Sequence, residues 1–211
     1  MNKLLDPSGK LMTLVGRVGD HFLLSLLWLL CSIPIVTAGA AAAAMCQVSF
    51  RVFSEEECHL LPDFFAAFKQ QFKPATKLHL AAVAVGLVFV LDVYFYLQVG
   101  GGNGTLATMI LGMILLIAAV ALICLIWLYP YLTLYGGGFL QTVKMAFLLG
   151  ISNLGWSALM LAVDVALAFG SLFATFLIPF VPGIITLINT LCIRKALAKY
   201  RREDEEDSSS F

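Results

Sequence analysis

Charged residues are scarce in this sequence, 12% of 211 residues against 61% hydrophobic. That imbalance excludes an ordinary soluble domain, because a chain of this length carries more apolar surface than one core can hide, and the surplus has to face lipid. Net charge is missing too, with 13 basic and 13 acidic residues, so no overall field draws the chain to nucleic acid. The sequence has no glycine-rich phosphate loop closed by lysine and serine or threonine, no paired-histidine zinc motif and no nucleophile elbow. Without those signatures, energy-coupled work needs a partner, and no enzyme activity, catalytic residue or cofactor is expected.

Cysteine is sparse and unpaired. Cys31, Cys46, Cys58, Cys124 and Cys192 are odd in number and lie mostly inside apolar runs, so they read as small packing residues rather than a disulfide framework. Cys58 and His59 follow Glu55, Glu56 and Glu57, but neighbours in sequence rarely converge on one ion and no second ligand cluster exists, so no metal site is expected. Lipidation motifs are absent. A cleaved signal peptide is disfavoured by the long lead, by Asp20 and by Pro34 within the apolar core.

What is abundant is long apolar sequence. Residues 22–44 read FLLSLLWLLCSIPIVTAGAAAAA, apolar almost throughout yet interrupted by Pro34. The stretch 22–33 makes about 18 Å of helix and needs the residues before it to complete a crossing. Pro34 removes a backbone donor and pushes Ile33 out of helical geometry. After it, Thr37 is placed to cap a second helix, whose Gly39 and Ala40 to Ala44 let a neighbouring backbone approach closely. Residues 61–73, LPDFFAAFKQQFK, place Phe64, Phe65, Phe68 and Phe72 on one stripe with lysines further round, the pattern of an interfacial amphipathic helix or of a helix packed on the protein's own bundle. Residues 78–99 and 105–129 read as two spans joined by a glycine-rich turn, 139–149 as a further helix and 154–178 as another span. A last apolar run, 184–193, flows into basic residues and then into an acidic, serine-rich end.

The basic residues decide the topology. They cluster in 1–20, 51–77 and 194–202, with only Lys144 elsewhere. A single crossing over 22–44 would put the later clusters opposite the basic N-terminus, against the preference of lysine and arginine for the cytoplasmic side. If the chain instead turns back at Pro34, all clusters share one side. The expected fold is therefore an all-α, polytopic transmembrane bundle with six crossings, or five plus a proline-centred hairpin, and a cytosolic interfacial helix. Residues 1–202 form one transmembrane domain, 203–211 an acidic disordered tail, and both termini of this multi-pass cell-membrane protein are cytoplasmic.

Few polar groups remain inside the apolar runs. Asp164 falls near the middle of its span and Asp92 toward the outer end of another; a carboxylate at such depth costs about 2.5 to 3.5 kcal/mol, so each should face the bundle interior, be protonated or hold a partner. Function and a structural, hydrogen-bonded carboxyl are both readings of Asp164, and the structural one is favoured for Asp92. Asn189 on the short last helix reads as interhelical glue more than as a ligand. A second proline break, Ile178-Pro179-Phe180-Val181-Pro182, echoes Ile33-Pro34-Ile35-Val36, and paired interrupted segments point to substrate sites in transporters.

The block LLWLLCSIPIVTAGAAAAA, the phenylalanine-rich FFAAFKQQFKPAT, and Pro182-Gly183 with Asn189-Thr190 resemble the YesL family of bacterial membrane proteins over nearly the whole membrane part. The acidic tail is not part of that pattern. The resemblance implies a small integral membrane protein of a kind common in Firmicutes, often encoded beside carbohydrate-uptake and glycan-degradation systems. It implies an auxiliary or scaffold component that contacts the permease subunits of a carbohydrate ABC importer. The competing expectation is a small-solute permease or channel, alone or as a homo-oligomer, with Asp164 and the proline breaks lining the path.

Overall fold

In a bilayer every backbone N–H and C=O must be satisfied within its own segment, which favours helices. Helix is the only extended regular structure among the residues described by the computed structural model, 10–54, 59–99, 105–173 and 179–209. The helices are α1 (Lys10–Cys31), α2 (Ile35–Phe53), α3 (Leu60–Val99), α4 (Thr105–Tyr135), α5 (Phe139–Ser152), α6 (Leu154–Phe173) and α7 (Val181–Ser209). Five described stretches are long and apolar enough to cross a membrane: Ile35–Phe53, Leu60–Tyr96, Thr108–Tyr135, Leu154–Phe173 and Val181–Ala198. The chain is thus the all-α membrane-helical bundle expected. Cys58, the lead before Lys10, the glycine-rich turn at 100–104 and Ile178 lie outside the described residues.

The chain doubles back at Pro34. Ser32 to Pro34 form the turn, after which α2 returns along α1, pairing Ser49 with His21 and seating Leu24 among Ala41, Ala44, Met45 and Val48. Thr37 does not act as the N-cap. Pro34 holds that position in extended geometry, and the Thr37 hydroxyl instead donates to the carbonyls of Cys31 (2.6 Å) and Pro34 (2.8 Å), tying the second helix to the end of the first. Ala40, Ala41, Ala43 and Ala44 of α2 are fully buried, as their small size permits.

Residues 61–73 are not a separate interfacial helix. α3 runs unbroken through Pro74 for 40 residues, about 60 Å, twice the hydrocarbon thickness of a bilayer. Tertiary packing overrides the proline. Its first half runs antiparallel to α2 from end to end: Arg51 meets Asp63 at 3.5 Å, Gln71 meets Gln47 at 3.4 Å, and Gly39 lies against Ala75 and His79. The phenylalanine stripe is divided by this contact. Phe64 is fully buried against α2 with Phe68 beside it, while Phe65 and Phe72 are exposed. Beyond the Pro34 turn α3 projects alone with α4, and residues 83–88 are exposed at every position. Consecutive residues point all round a helix, so this part meets lipid or another protein on every side.

α4 likewise continues through Pro130, where composition suggested an end. It stops at Gly136, whose N–H bonds the Leu132 carbonyl at 3.0 Å and whose φ of 65° is left-handed, followed by Gly137 at 123°. Glycine adopts these angles without the steric cost of a Cβ. Trp127 of α4 is buried at the centre, its indole N–H donating to Ser157 of α6 at 2.8 Å. Ser157 also donates to the carbonyls of Gly150 (2.9 Å) and Asn153 (3.0 Å), so the indole is joined to the α5–α6 corner. Trp127→Ala is expected to lower stability by about 3–5 kcal/mol, whereas Trp127→Phe, which keeps most of the ring volume, should lose about 1 kcal/mol; thermal unfolding in detergent measures both.

α7 begins at Val181, with Pro182 in its first turn, where a missing N–H costs nothing. It extends as helix through Ser209, across the acidic segment that composition assigned to a disordered tail. The sequence spacing Lys199/Glu203, Arg201/Glu205 and Arg202/Glu206 sets opposite charges four residues apart, which favours a helical backbone there.

Candidate functional site

Four helices, α2, α4, α6 and α7, with Trp28 of α1, surround a cavity of about 520 Å³. Its walls are apolar for the reason the helices are: each wall residue lies on a helix selected for lipid-like surroundings. Leu122, Ile126, Leu161, Val165 and Ile185 are typical. Polarity is concentrated at one pole. Asp164 of α6 and Asn189 of α7 meet there, the Asn189 amide nitrogen donating to both carboxylate oxygens at 3.0 and 3.3 Å. The amide oxygen of Asn189 is buried and has no hydrogen-bond partner. Among the described residues no lysine, arginine or histidine lines the cavity, so the carboxylate has no cationic side chain on its described walls. Leaving a buried acceptor unmatched costs about 1–3 kcal/mol.

Asp164 and Asn189, singled out separately from the sequence, are therefore brought together, while Asp92 is not part of the site. It is exposed near the outer end of α3. The proline breaks do not meet each other. Pro34 is exposed at its turn, whereas the second break docks against the middle of α1: the Ser25 hydroxyl donates to the Pro179 carbonyl at 2.5 Å, and Phe180 stacks on Phe22 with centroids 4.5 Å apart. Nine residues separate Ser25 from Pro34, about 13 Å of helix. Pro182 lines the cavity; Pro34 and Pro179 do not.

A second polar cluster was not foreseen from sequence. His21 Nδ1 donates to the Arg17 carbonyl at 2.7 Å, which fixes Nε2 of the neutral ring as an acceptor for the Ser49 hydroxyl, also at 2.7 Å. Ser49 Oγ in turn meets the Thr190 hydroxyl at 2.9 Å. One ladder thus joins α1, α2 and α7. It resembles a serine–histidine pair, but the ring's other nitrogen is bound to a backbone carbonyl rather than a carboxylate, and Ser49 is fully buried and does not line the cavity. The geometry is that of a clasp, and a nucleophile needs both an orienting acid and access. Arg17 and His21 stand four residues apart in sequence, which marks a shared helix face; nothing local announces Ser49 or Thr190.

Below the clasp, the guanidinium groups of Arg17 and Arg194 lie 4.8 and 5.7 Å from the Phe53 ring centre. Arg194 also donates to the Phe53 carbonyl, satisfying an acceptor at the end of α2 where positive charge suits the helix dipole.

Residues 22–93 match a family model, DUF624, described as a protein of unknown function. The match takes in the proline hairpin and most of α3, and leaves Asp164 and Asn189 outside. No curated protein and no solved structure matches the chain.

Proposed function

We propose that this chain is a non-enzymatic, multi-pass protein of the cell membrane that holds a small solute at the Asp164–Asn189 pole of its central cavity, as a permease or channel does. One observation carries the reading: the Asp164 carboxylate, held by the Asn189 amide nitrogen, lines a mostly apolar cavity whose described walls carry no neutralising side chain. Both termini are cytoplasmic in this reading. The α1–α2 hairpin enters from that side with Lys69, Lys73 and Lys77 of α3 beside it, and the outer half of α3 crosses beside α4.

The test is transport by the purified chain in liposomes, under inward gradients of a panel of sugars, amino acids and amines. Uptake of at least one solute is expected to exceed that of protein-free liposomes, and Asp164→Asn to reduce it about tenfold, the loss of roughly 1.4 kcal/mol of binding. Equal uptake with and without protein across the panel would remove the reading.

A second reading is favoured by the unaccompanied outer parts of α3 and α4, where Leu87, Val88, Leu91, Met109 and Met113 are exposed. Such a surface suits helices of another membrane protein as well as lipid. Together with the resemblance to bacterial YesL proteins, it supports an auxiliary component of a carbohydrate ABC importer. Co-purification of permease subunits in mild detergent would favour this reading, and recovery of the chain alone would count against it.

A further inference from the structure

We infer that the solute held in the cavity is an organic ammonium ion, a primary amine carried on an apolar body; this rests on the reading of the cavity as a solute site. The inference comes from counting donors and acceptors at the polar pole. Asp164 offers two oxygens, the amide oxygen of Asn189 is buried beyond a ligand's reach, and the Asn189 amide nitrogen is already turned to the carboxylate. The other hydroxyls on the walls are committed elsewhere: Thr186 donates to the Pro182 carbonyl at 2.9 Å, Thr190 joins Ser49 at 2.9 Å, and Tyr129 joins His79 at 3.0 Å. The walls therefore present the two Asp164 oxygens with their negative charge, and the one uncommitted side-chain N–H or O–H donor on the described walls is the Trp28 indole N–H.

Each solute class answers that surface differently. A sugar brings acceptors as well as donors, and its acceptors would be buried unmatched. A carboxylate would be repelled by Asp164. A calcium or magnesium ion needs about six oxygen ligands, against the two that Asp164 supplies. An alkylammonium group brings N–H donors, one positive charge and no acceptor, matching the two carboxylate oxygens and their negative charge. The remaining walls suit an apolar remainder, with the rings of Trp28 and Tyr129 among them. The volume of about 520 Å³ lies in the range of small-molecule sites, roughly 300–1,000 Å³.

Equilibrium binding of radiolabelled phenethylamine to the full chain in nanodiscs tests this, with phenethyl alcohol as the neutral competitor of similar shape. Saturable binding is expected, with the alcohol needing at least about tenfold higher concentration to compete. Asp164→Asn should weaken phenethylamine binding about tenfold or more, and Asn189→Ala, which keeps the carboxyl but removes the amide N–H that orients it, by a smaller factor of about three to ten. An unshifted thermal unfolding temperature in Asn189→Ala separates lost ligand contacts from lost structure. Competition by the alcohol as strong as by the amine, or undiminished binding in both variants, would overturn the ammonium assignment and leave the cavity as a solute site. Absence of saturable binding by both compounds would overturn the ammonium assignment; if the liposome panel also shows no uptake, the solute-site reading falls with it.

Discussion

Gly183→Leu is expected to be the most damaging single substitution in the bundle. At Gly183 the start of α7 lies directly on the backbone of α1: a Cβ there would strike the His21 carbonyl oxygen, with the carbonyl carbon at 3.0 Å and the Ser25 Cβ at 3.2 Å. Backbone cannot step aside as a flexible side chain can. The Gly183 N–H also donates to the Ser25 hydroxyl at 3.2 Å, which itself donates to Pro179, so pushing α7 away breaks the docking of the second proline break at the same time. Overpacking of this kind costs about 1–3 kcal/mol for the first added carbons, and leucine adds three more. A fall in unfolding temperature of roughly 10 °C or more is expected from about 2–4 °C per kcal/mol in a chain of this size. The control is Gly170→Ala in α6, where a Cβ meets nothing within 4 Å; it should be neutral or stabilise by about 0.5–1 kcal/mol through helix propensity. Equal unfolding temperatures for Gly183→Leu and wild type would mean that α7 does not sit on α1 as described.

The second large effect is expected at the clasp, and its signature is coupling rather than the size of either loss. His21→Leu strands the Ser49 hydroxyl, and Ser49→Ala strands both the His21 ring nitrogen and the Thr190 hydroxyl, in a region where all three residues are 0 to 2% exposed. Each single change should cost about 1–3 kcal/mol, because a buried polar group without a partner carries its full desolvation penalty. The double variant removes two members of the same ladder, so its loss should fall short of the sum by about 1 kcal/mol or more. Strict additivity in thermal or denaturant unfolding would show that the ladder does not act as a unit. Hydrogen bonds measured between membrane helices average only about 0.6 kcal/mol, so single losses near that figure would indicate that each group finds a replacement partner when the ladder is broken.

Legibility in the sequence follows the range of the forces involved. The Pro34 turn was readable because a proline acts on its own backbone and on the residue before it, and because charge parity demanded a return. The end of α4 was misplaced for a related reason. Pro130 looked like a stop, but helices held by neighbours accommodate a proline, and the left-handed glycines six and seven residues later end it instead. Pro74 was overridden in the same way by the packing of α3 along α2. Asp164 and Asn189 were each conspicuous as polar residues in apolar runs, yet their pairing was not, since 25 residues and a helix reversal separate them. His21, Ser49 and Thr190 were less visible still, because serine and threonine are ordinary in membrane helices and only the joining of three helices gives them a shared purpose.

By itself, the sequence determined that this chain lives in lipid, that it is helical, that it reverses at Pro34 and which of its residues are costly to bury. Those properties follow from composition and from forces reaching no further than a helical turn. Tertiary structure alone decided that α3 is one long helix serving two environments, that the second proline break rests on Ser25 and not on Pro34, and that one carboxylate and one amide share a cavity. Contacts between distant helices depend on which faces meet and at what depth, and many pairings of apolar helices satisfy the same pattern of residues; the close approach at Gly39 and Gly183, where backbones touch, is what selects one of them.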